Sequence, residues 1–173
     1  MARPRFALAK QEADRVLLRA GARTPADIDP EKFAQEFFGA DVSYEHFEGD
    51  MAGVLIREPG RPPIIGVEAA ASPGRKRFTL AHELGHLLLH NEAYHVDTKF
   101  FLRNELSTRA ESAMEIEANQ FASNLLMPSW MLEVSVERQP FDVEESAEAL
   151  AKEYKVSVQA MSLRLARFLK YNL

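Results

Sequence analysis

The stretch "TLAHELGHLLLH", Thr79–His90, decides how the rest of this sequence is interpreted. Its leucines have the spacing of a core helix, yet the stretch also contains His82, Glu83 and His86. Residues four apart lie on one face of a helix, so the two histidines point the same way, one turn apart. Two imidazoles placed in this way can bind one divalent ion. The stretch predicts a metal-dependent hydrolase site, with His82 and His86 as ligands and Glu83 as the base.

Gly85 lies inside the same predicted helix. Glycine costs about 1 kcal/mol relative to alanine in a helix interior, so its presence needs a reason. We expect that another part of the chain packs closely against the helix backbone at this point.

A catalytic zinc site needs a third protein ligand, and the sequence favours Glu117. A long helix is predicted over residues 107–128, and Glu117 interrupts an apolar stripe on it. A buried carboxylate needs a partner, which a metal provides. Glu111 and Glu115 form an i, i+4 pair on another face, a pattern typical of solvent exposure. The alternative is a rotated helix that leaves Glu117 exposed.

Peptide hydrolysis also needs a donor that stabilises the negatively charged intermediate. Three residues near the end of the metal helix are candidates for this role or for substrate contact, and the sequence does not choose among Tyr94, His90 and His95. A strand near residues 51–58 is a candidate edge for an extended substrate.

The pattern predicts an α+β fold, a small antiparallel sheet packed with helices. Helices are predicted at 5–20 and after Asp29, which is a candidate N-cap. Strands follow at 41–47 and 51–58, as a hairpin, and at 62–69, whereas residues 91–107 lack clear periodicity. We expect a metallopeptidase domain over residues 1–130 and a helical lobe over residues 131–173.

Composition limits the function further. The chain has 173 residues and no cysteine, so disulfides and cysteine-ligated zinc are excluded. No signal peptide or membrane span is evident, and we expect a cytoplasmic protein that does not engage membranes. The net charge of −5 argues against nucleic-acid binding driven by bulk charge.

The C-terminal stretch 148–168 has the layout of a helix-turn-helix. A helix ending near Tyr154 is followed by a turn, with Ser157 as the cap of a second helix. Arg164, Arg167 and Lys170 make this second helix basic. DNA or partner recognition is one interpretation. A helical hairpin that packs on the catalytic core is the other, and the apolar character of the helix favours it.

Two segments together, "RFTLAHELGHLLLH" and "EIEANQFASNLLMP", resemble the ImmA/IrrE family of small zinc metallopeptidases. The resemblance covers roughly residues 25–130. It implies a gluzincin-like fold with zincin-like metal helices and one Zn²⁺ per chain. By resemblance, His82, His86 and Glu117 hold the zinc and Glu83 is the base.

The same resemblance implies a protein substrate. Many family members cleave a helix-turn-helix repressor, often encoded beside them in phage, mobile-element or stress-response loci, and thereby release transcription. We therefore expect a zinc endopeptidase that acts on such a repressor or on an antitoxin-type partner. One alternative is an inactive metal-binding module that sequesters this partner stoichiometrically. A DNA-binding protein with a structural metal site is the third hypothesis.

Overall fold

The computed structural model describes residues 3–91, 93–98, 113–138 and 143–172, with the backbone alone at 94, 95, 97, 98, 143, 144, 171 and 172. The helices are α1 (Phe6–Ala20), α2 (Pro30–Phe38), α3 (Pro73–Leu89), α4 (Ala113–Leu126), α5 (Ser129–Val136), α6 (Val143–Tyr154) and α7 (Val158–Asn172). The strands are β1 (Asp41–Glu45), β2 (Met51–Ile56), β3 (Ile64–Glu68) and β4 (Tyr94–Thr98). The predicted α+β class is confirmed. Among the described residues, no helix is long and apolar enough to span a bilayer.

The sheet differs from the prediction in strand number and pairing. It has four strands in the order β1-β3-β2-β4, and β1 runs parallel to β3. The predicted hairpin between β1 and β2 is therefore wrong. β2 is central and pairs antiparallel with β3 and β4. Its four consecutive buried residues, 52–55, suit a strand that is covered on both faces. Because β2 is paired on both sides, it has no free edge to which an extended substrate could add as a strand. The expectation of such an edge near residues 51–58 is therefore wrong.

The second helix begins and ends as its sequence predicts. Asp29 Oδ1 accepts hydrogen bonds from the backbone N–H groups of Glu31 and Lys32 at 3.2 Å each, so it caps α2. Gly39 follows α2 with a φ of 62°, a left-handed conformation that glycine adopts without steric cost. These local signals fix the helix that leads directly into the sheet.

The metal helix predicted from Thr79 begins earlier, at Pro73. From Thr79 to His86 every residue of α3 is buried. The sheet covers one side through β2 and β3, and α4 covers another. α3 is therefore the central helix of the fold, and its polar side chains are enclosed by protein.

At Gly85 the backbones of α3 and α4 approach each other closely. A Cβ built on Gly85 would lie 3.1 Å from Ala118 Cα and 3.2 Å from the Ala118 carbonyl oxygen. The expectation of a close backbone neighbour at Gly85 is confirmed. The same Cβ would be 3.1 Å from Phe121 Cδ1, and because the other two contacts are to α4 backbone, movement of the Phe121 ring alone would not make room for it.

The C-terminal helices share the core of the rest of the molecule. Leu126, Leu132, Leu150 and Tyr154 belong to the same buried cluster, which crosses residue 130. The predicted boundary at residues 130/131 lies inside α5. The predicted helix end at Tyr154 is confirmed.

A serine cap and a buried arginine hold α7 in place. Ser157 Oγ accepts a hydrogen bond from Ala160 N–H at 3.1 Å, so the predicted cap is confirmed. Arg164 is buried and donates from Nε to the Met127 carbonyl at 3.0 Å, and from Nη2 to Asn124 Oδ1 at 2.9 Å and Ser129 Oγ at 3.0 Å. Arg164 therefore joins α7 to the α4–α5 junction instead of offering its charge to DNA.

We predict that Gly85→Ala lowers the free energy of unfolding by about 1–2 kcal/mol, because overpacking against the α4 backbone outweighs the helix propensity of alanine. Gly74→Ala is the matched control in the same helix, since a Cβ on Gly74 meets ordinary contacts of 3.6 Å or more. Urea unfolding measures both. Equal stabilisation by the two substitutions would contradict the close approach of α3 and α4.

We predict that Arg164→Met lowers the free energy of unfolding by about 2–3 kcal/mol, because it leaves buried acceptors at Met127 and Asn124 without their donor. Arg167→Met, at an exposed position of the same helix, should change the stability by no more than about 0.5 kcal/mol. Equal effects of the two substitutions in denaturant titrations would show that Arg164 does not join α7 to α4.

Candidate metal centre

Three polar residues of α3 lie in the core of the protein. His82 and Glu83 are 0% exposed and His86 is 1% exposed. The two imidazoles face each other, with Nε2 of His82 and Nε2 of His86 3.0 Å apart. The predicted convergence of the histidine pair is confirmed. Enclosed groups of this kind need partners, and the partners define the site.

A carboxylate from α4 completes this group. Glu115 is buried, with Oε2 at 3.3 Å from His82 Nε2 and Oε1 at 3.4 Å from His86 Nε2. A tetrahedral zinc ion with ligands at about 2.0–2.1 Å separates neighbouring ligand atoms by about 3.3–3.4 Å. The three separations are therefore close to those of a zinc coordination sphere. His82, His86 and Glu115 form a buried group that could bind a metal ion.

The glutamate beside the histidines is Glu115, whereas the sequence favoured Glu117. Residues two apart on a helix differ by about 200° in direction, so the two carboxylates point to nearly opposite sides of α4. Ala118 follows Glu115 by three residues and packs against Gly85, which identifies the side of α4 that faces α3. The assignment of Glu115 to an exposed pair was wrong, because that side of α4 is covered by α3.

Asn119 also belongs to the site, although the sequence pattern did not indicate a catalytic role for it. It follows Glu115 by four residues, so it lies on the same side of α4. Its Oδ1 is 3.0 Å from Nδ1 of His82. Because Asn119 accepts the Nδ1 proton, a neutral His82 has its lone pair at Nε2, the nitrogen that faces His86 and Glu115. A metal ligand needs this lone pair. The i, i+4 relation to Glu115 is the signal that could have identified Asn119.

Glu117 forms a second cluster with His90 and Arg5. Its Oε2 is 3.1 Å from His90 Nε2 and accepts from Arg5 Nη2 at 2.6 Å. The backbone N–H of Arg5 donates to Glu117 Oε1 at 2.7 Å. Hydrogen bonds from the Arg5 side chain, opposed in part by burial, lower the pKa of Glu117 to about 2. The carboxylate is therefore ionised at neutral pH and is held by a guanidinium from the N-terminal segment.

The charge of Glu115 is set by its two histidine neighbours. Burial raises the pKa of this carboxyl, but hydrogen bonds with His82 and His86 outweigh burial and hold the pKa well below its usual range. Glu115 is thus an anion in the protein interior, next to two imidazoles. An anionic oxygen and two imidazole nitrogens are ligands that zinc prefers.

Glu83 lies between α3 and the sheet. A Cβ built on Gly53 of β2 would be 2.6 Å from Glu83 Oε1 and 2.6 Å from Thr79 Cγ2. The absence of a side chain at Gly53 therefore makes the room in which the Glu83 carboxylate lies against the central strand. Glu83 is adjacent in sequence to His82, the position expected for a base beside a metal-bound site.

The structure describes the side chain of His90, but only the backbone of Tyr94 and His95, the other two candidates for oxyanion or substrate contact. His90 is not in the group formed by His82, His86 and Glu115, because its Nδ1 is 3.0 Å from Nδ1 of His86, on the far side of that ring. Tyr94 and His95 are in β4, whose backbone is described at these positions but whose side chains are not. The assignment of these two as oxyanion or substrate contacts stays a prediction.

Two arginines bind the C-terminal end of α3. Arg57 Nη2 donates to the His86 carbonyl at 2.6 Å, and Arg5 Nη2 donates to the Leu89 carbonyl at 3.1 Å. The carbonyls at the C-terminal end of a helix carry partial negative charge, which a guanidinium complements. These contacts hold the helix end next to the histidine pair.

Comparison with solved structures finds a similar fold in a Mycobacterium tuberculosis transcriptional regulator. The TM-score is 0.61 at 21% sequence identity, and the match covers 88% of this chain and 44% of that chain. This chain therefore spans less than half of that protein, and the likeness concerns the fold. Among curated proteins, no sequence matches this chain significantly.

A family model also matches most of the chain. The model of the IrrE N-terminal-like domain, Peptidase_M78, matches residues 35–166. The matched segment includes the histidine pair on α3 and Glu115 on α4, and it extends into α7. This protein belongs to the peptidase M78 family of IrrE N-terminal-like domains.

Proposed function

We propose that this protein is a zinc-dependent endopeptidase that cleaves a helix-turn-helix transcriptional repressor or an antitoxin-type partner and so relieves repression. The observation that carries the proposal is the convergence of His82, His86 and Glu115 within 3.0–3.4 Å of one another, with Glu83 adjacent. Membership of a peptidase family supports the reaction class. The substrate class rests on the family resemblance, and the similar fold of a transcriptional regulator is compatible with it.

In this proposal His82, His86 and Glu115 hold one Zn²⁺, which supplies a Lewis acid that lowers the pKa of water and polarises a carbonyl. Glu83 accepts a proton from the attacking water. The water oxygen bonds to the scissile carbonyl carbon, and the C–N bond then breaks. Glu83 returns its proton to the leaving nitrogen, so that the products are a carboxyl group and an amine.

The DNA-binding hypothesis has little support from α7. Arg164, one of its three basic residues, is buried in contacts with the α4–α5 junction. Arg167 and Lys170 are exposed but give only two positive charges in a chain with a net charge of −5. Non-specific DNA affinity arises from several phosphate contacts, which two side chains do not provide.

We predict that Glu83→Gln abolishes proteolysis while zinc content stays at about one ion per chain, because glutamine cannot accept a proton from water. The assay incubates the zinc-loaded protein with the repressor-like product of the adjacent reading frame and identifies fragments by mass spectrometry. Glu133→Gln, at an exposed position of α5, is the matched control and should cleave normally.

Two results of this assay would overturn the proposal. Equal cleavage by wild type and Glu83→Gln would remove the base from the mechanism. A tight one-to-one complex that neither form cleaves would instead indicate the sequestering module.

We predict that Glu115→Gln weakens zinc binding by about 1,000-fold, equivalent to about 4 kcal/mol, because it replaces a charged ligand with a neutral amide. Glu117→Gln should weaken binding by no more than about 100-fold, since Glu117 contacts His90 and Arg5 instead of the histidine pair. Competition with a chromophoric chelator measures both. A larger loss in Glu117→Gln would restore Glu117 as the ligand.

A further inference from the structure

A chain of three hydrogen-bonded residue pairs connects the histidine pair to the N-terminal segment. Nδ1 of His86 is 3.0 Å from Nδ1 of His90, and Nε2 of His90 is 3.1 Å from Oε2 of Glu117. Arg5 then binds Glu117 through its backbone N–H, Nε and Nη2 at 2.6–3.1 Å. His90, Glu117 and His86 are all buried, so water does not compete for the two contacts that His90 makes.

The backbone at His90 allows this arrangement. His90 is the first residue after α3, with extended dihedral angles of φ −129° and ψ 159°. Its ring therefore does not continue the helical row of His82 and His86. It lies instead against the opposite edge of the His86 ring, between α3 and Glu117.

The chemistry of the chain determines which nitrogens carry protons. Oε2 of Glu117 accepts from Arg5 Nη2 and lies 3.1 Å from His90 Nε2, so His90 donates to this oxygen from Nε2. A neutral His90 that donates from Nε2 has only a lone pair at Nδ1. Nδ1 of His86 must then be the donor to His90. A neutral His86 with its proton on Nδ1 has a lone pair at Nε2, the nitrogen that faces His82 and Glu115 and that would bind a metal ion.

We propose that His90 and Glu117 are positioning residues that fix the orientation and tautomer of His86 required for metal binding. Arg5 completes the chain by holding Glu117. The proposal rests on the proposed function in that it takes His86 to be a metal ligand. His82 has a shorter support of the same kind through Asn119, so each imidazole has its own acceptor at Nδ1.

Partners that orient a metal-ligating histidine commonly contribute 10–100-fold to metal affinity. We therefore expect His90→Gln and Glu117→Gln each to weaken zinc binding by about 10–100-fold. The effect of Arg5→Ala should be smaller, because the Arg5 side chain is 52% exposed and water can replace part of its interaction.

The direct test is long-range ¹H–¹⁵N NMR of the metal-free, full-length protein at neutral pH, which reports the protonated nitrogen of each imidazole. The expected result is a proton on Nδ1 of His86 and on Nε2 of His90. A proton on Nδ1 of His90, or the absence of one from Nδ1 of His86, would overturn the proposal. This measurement needs no variant and no metal, so it decides the proposal even if the protein cleaves nothing.

The affinity test uses zinc with a competing chelator on wild type, His90→Gln and Glu117→Gln. His46→Gln is the matched control, because His46 also faces a glutamate, Glu68, at 3.5 Å, but its side chain is 82% exposed outside the site. Unfolding of the metal-free proteins is measured in parallel. Reduced stability with unchanged zinc affinity and an unchanged His86 tautomer would assign His90 and Glu117 a structural role only, and would overturn the proposal.

Discussion

The close contact between Gly85 of α3 and Ala118 of α4 is the constraint on which the site depends. With no side chain on Gly85, the backbones of the two helices approach until a Cβ would be 3.1 Å from Ala118 Cα. This approach sets Glu115, three residues before Ala118, opposite His82 and His86. His82 and His86 provide two metal-ligand atoms from α3. The third, from Glu115, depends on the distance between α3 and α4.

The polar groups of the site form two layers around the candidate centre. His82, His86 and Glu115 face one another, while Asn119 and His90 contact the outer nitrogens of the two rings. Each layer satisfies groups that would otherwise be costly to bury. Glycine serves the site twice, since Gly85 admits α4 and Gly53 of the central strand admits the Glu83 carboxylate.

Sequence patterns predicted the features that depend on local geometry. These were the α+β class, the histidine pair on one helix, the close neighbour of Gly85, and the caps at Asp29 and Ser157. Strand pairing was predicted wrongly as a β1–β2 hairpin, because the parallel β1–β3 pair joins segments that are not consecutive in sequence. Glu115 was missed because Glu115 and Glu117 both have apolar neighbours, and periodicity did not reveal which side of α4 faces α3. Ala118, as the partner of Gly85, identifies that side only once the helices are packed.

X-ray absorption at the zinc edge of the zinc-loaded protein tests most directly whether His82, His86 and Glu115 form one metal site. We predict one zinc per chain with two imidazole nitrogens and a carboxylate oxygen at about 2.0–2.2 Å, and loss of the carboxylate contribution in Glu115→Gln alone. A spectrum with one imidazole, or one that changes in Glu117→Gln and not in Glu115→Gln, would contradict it.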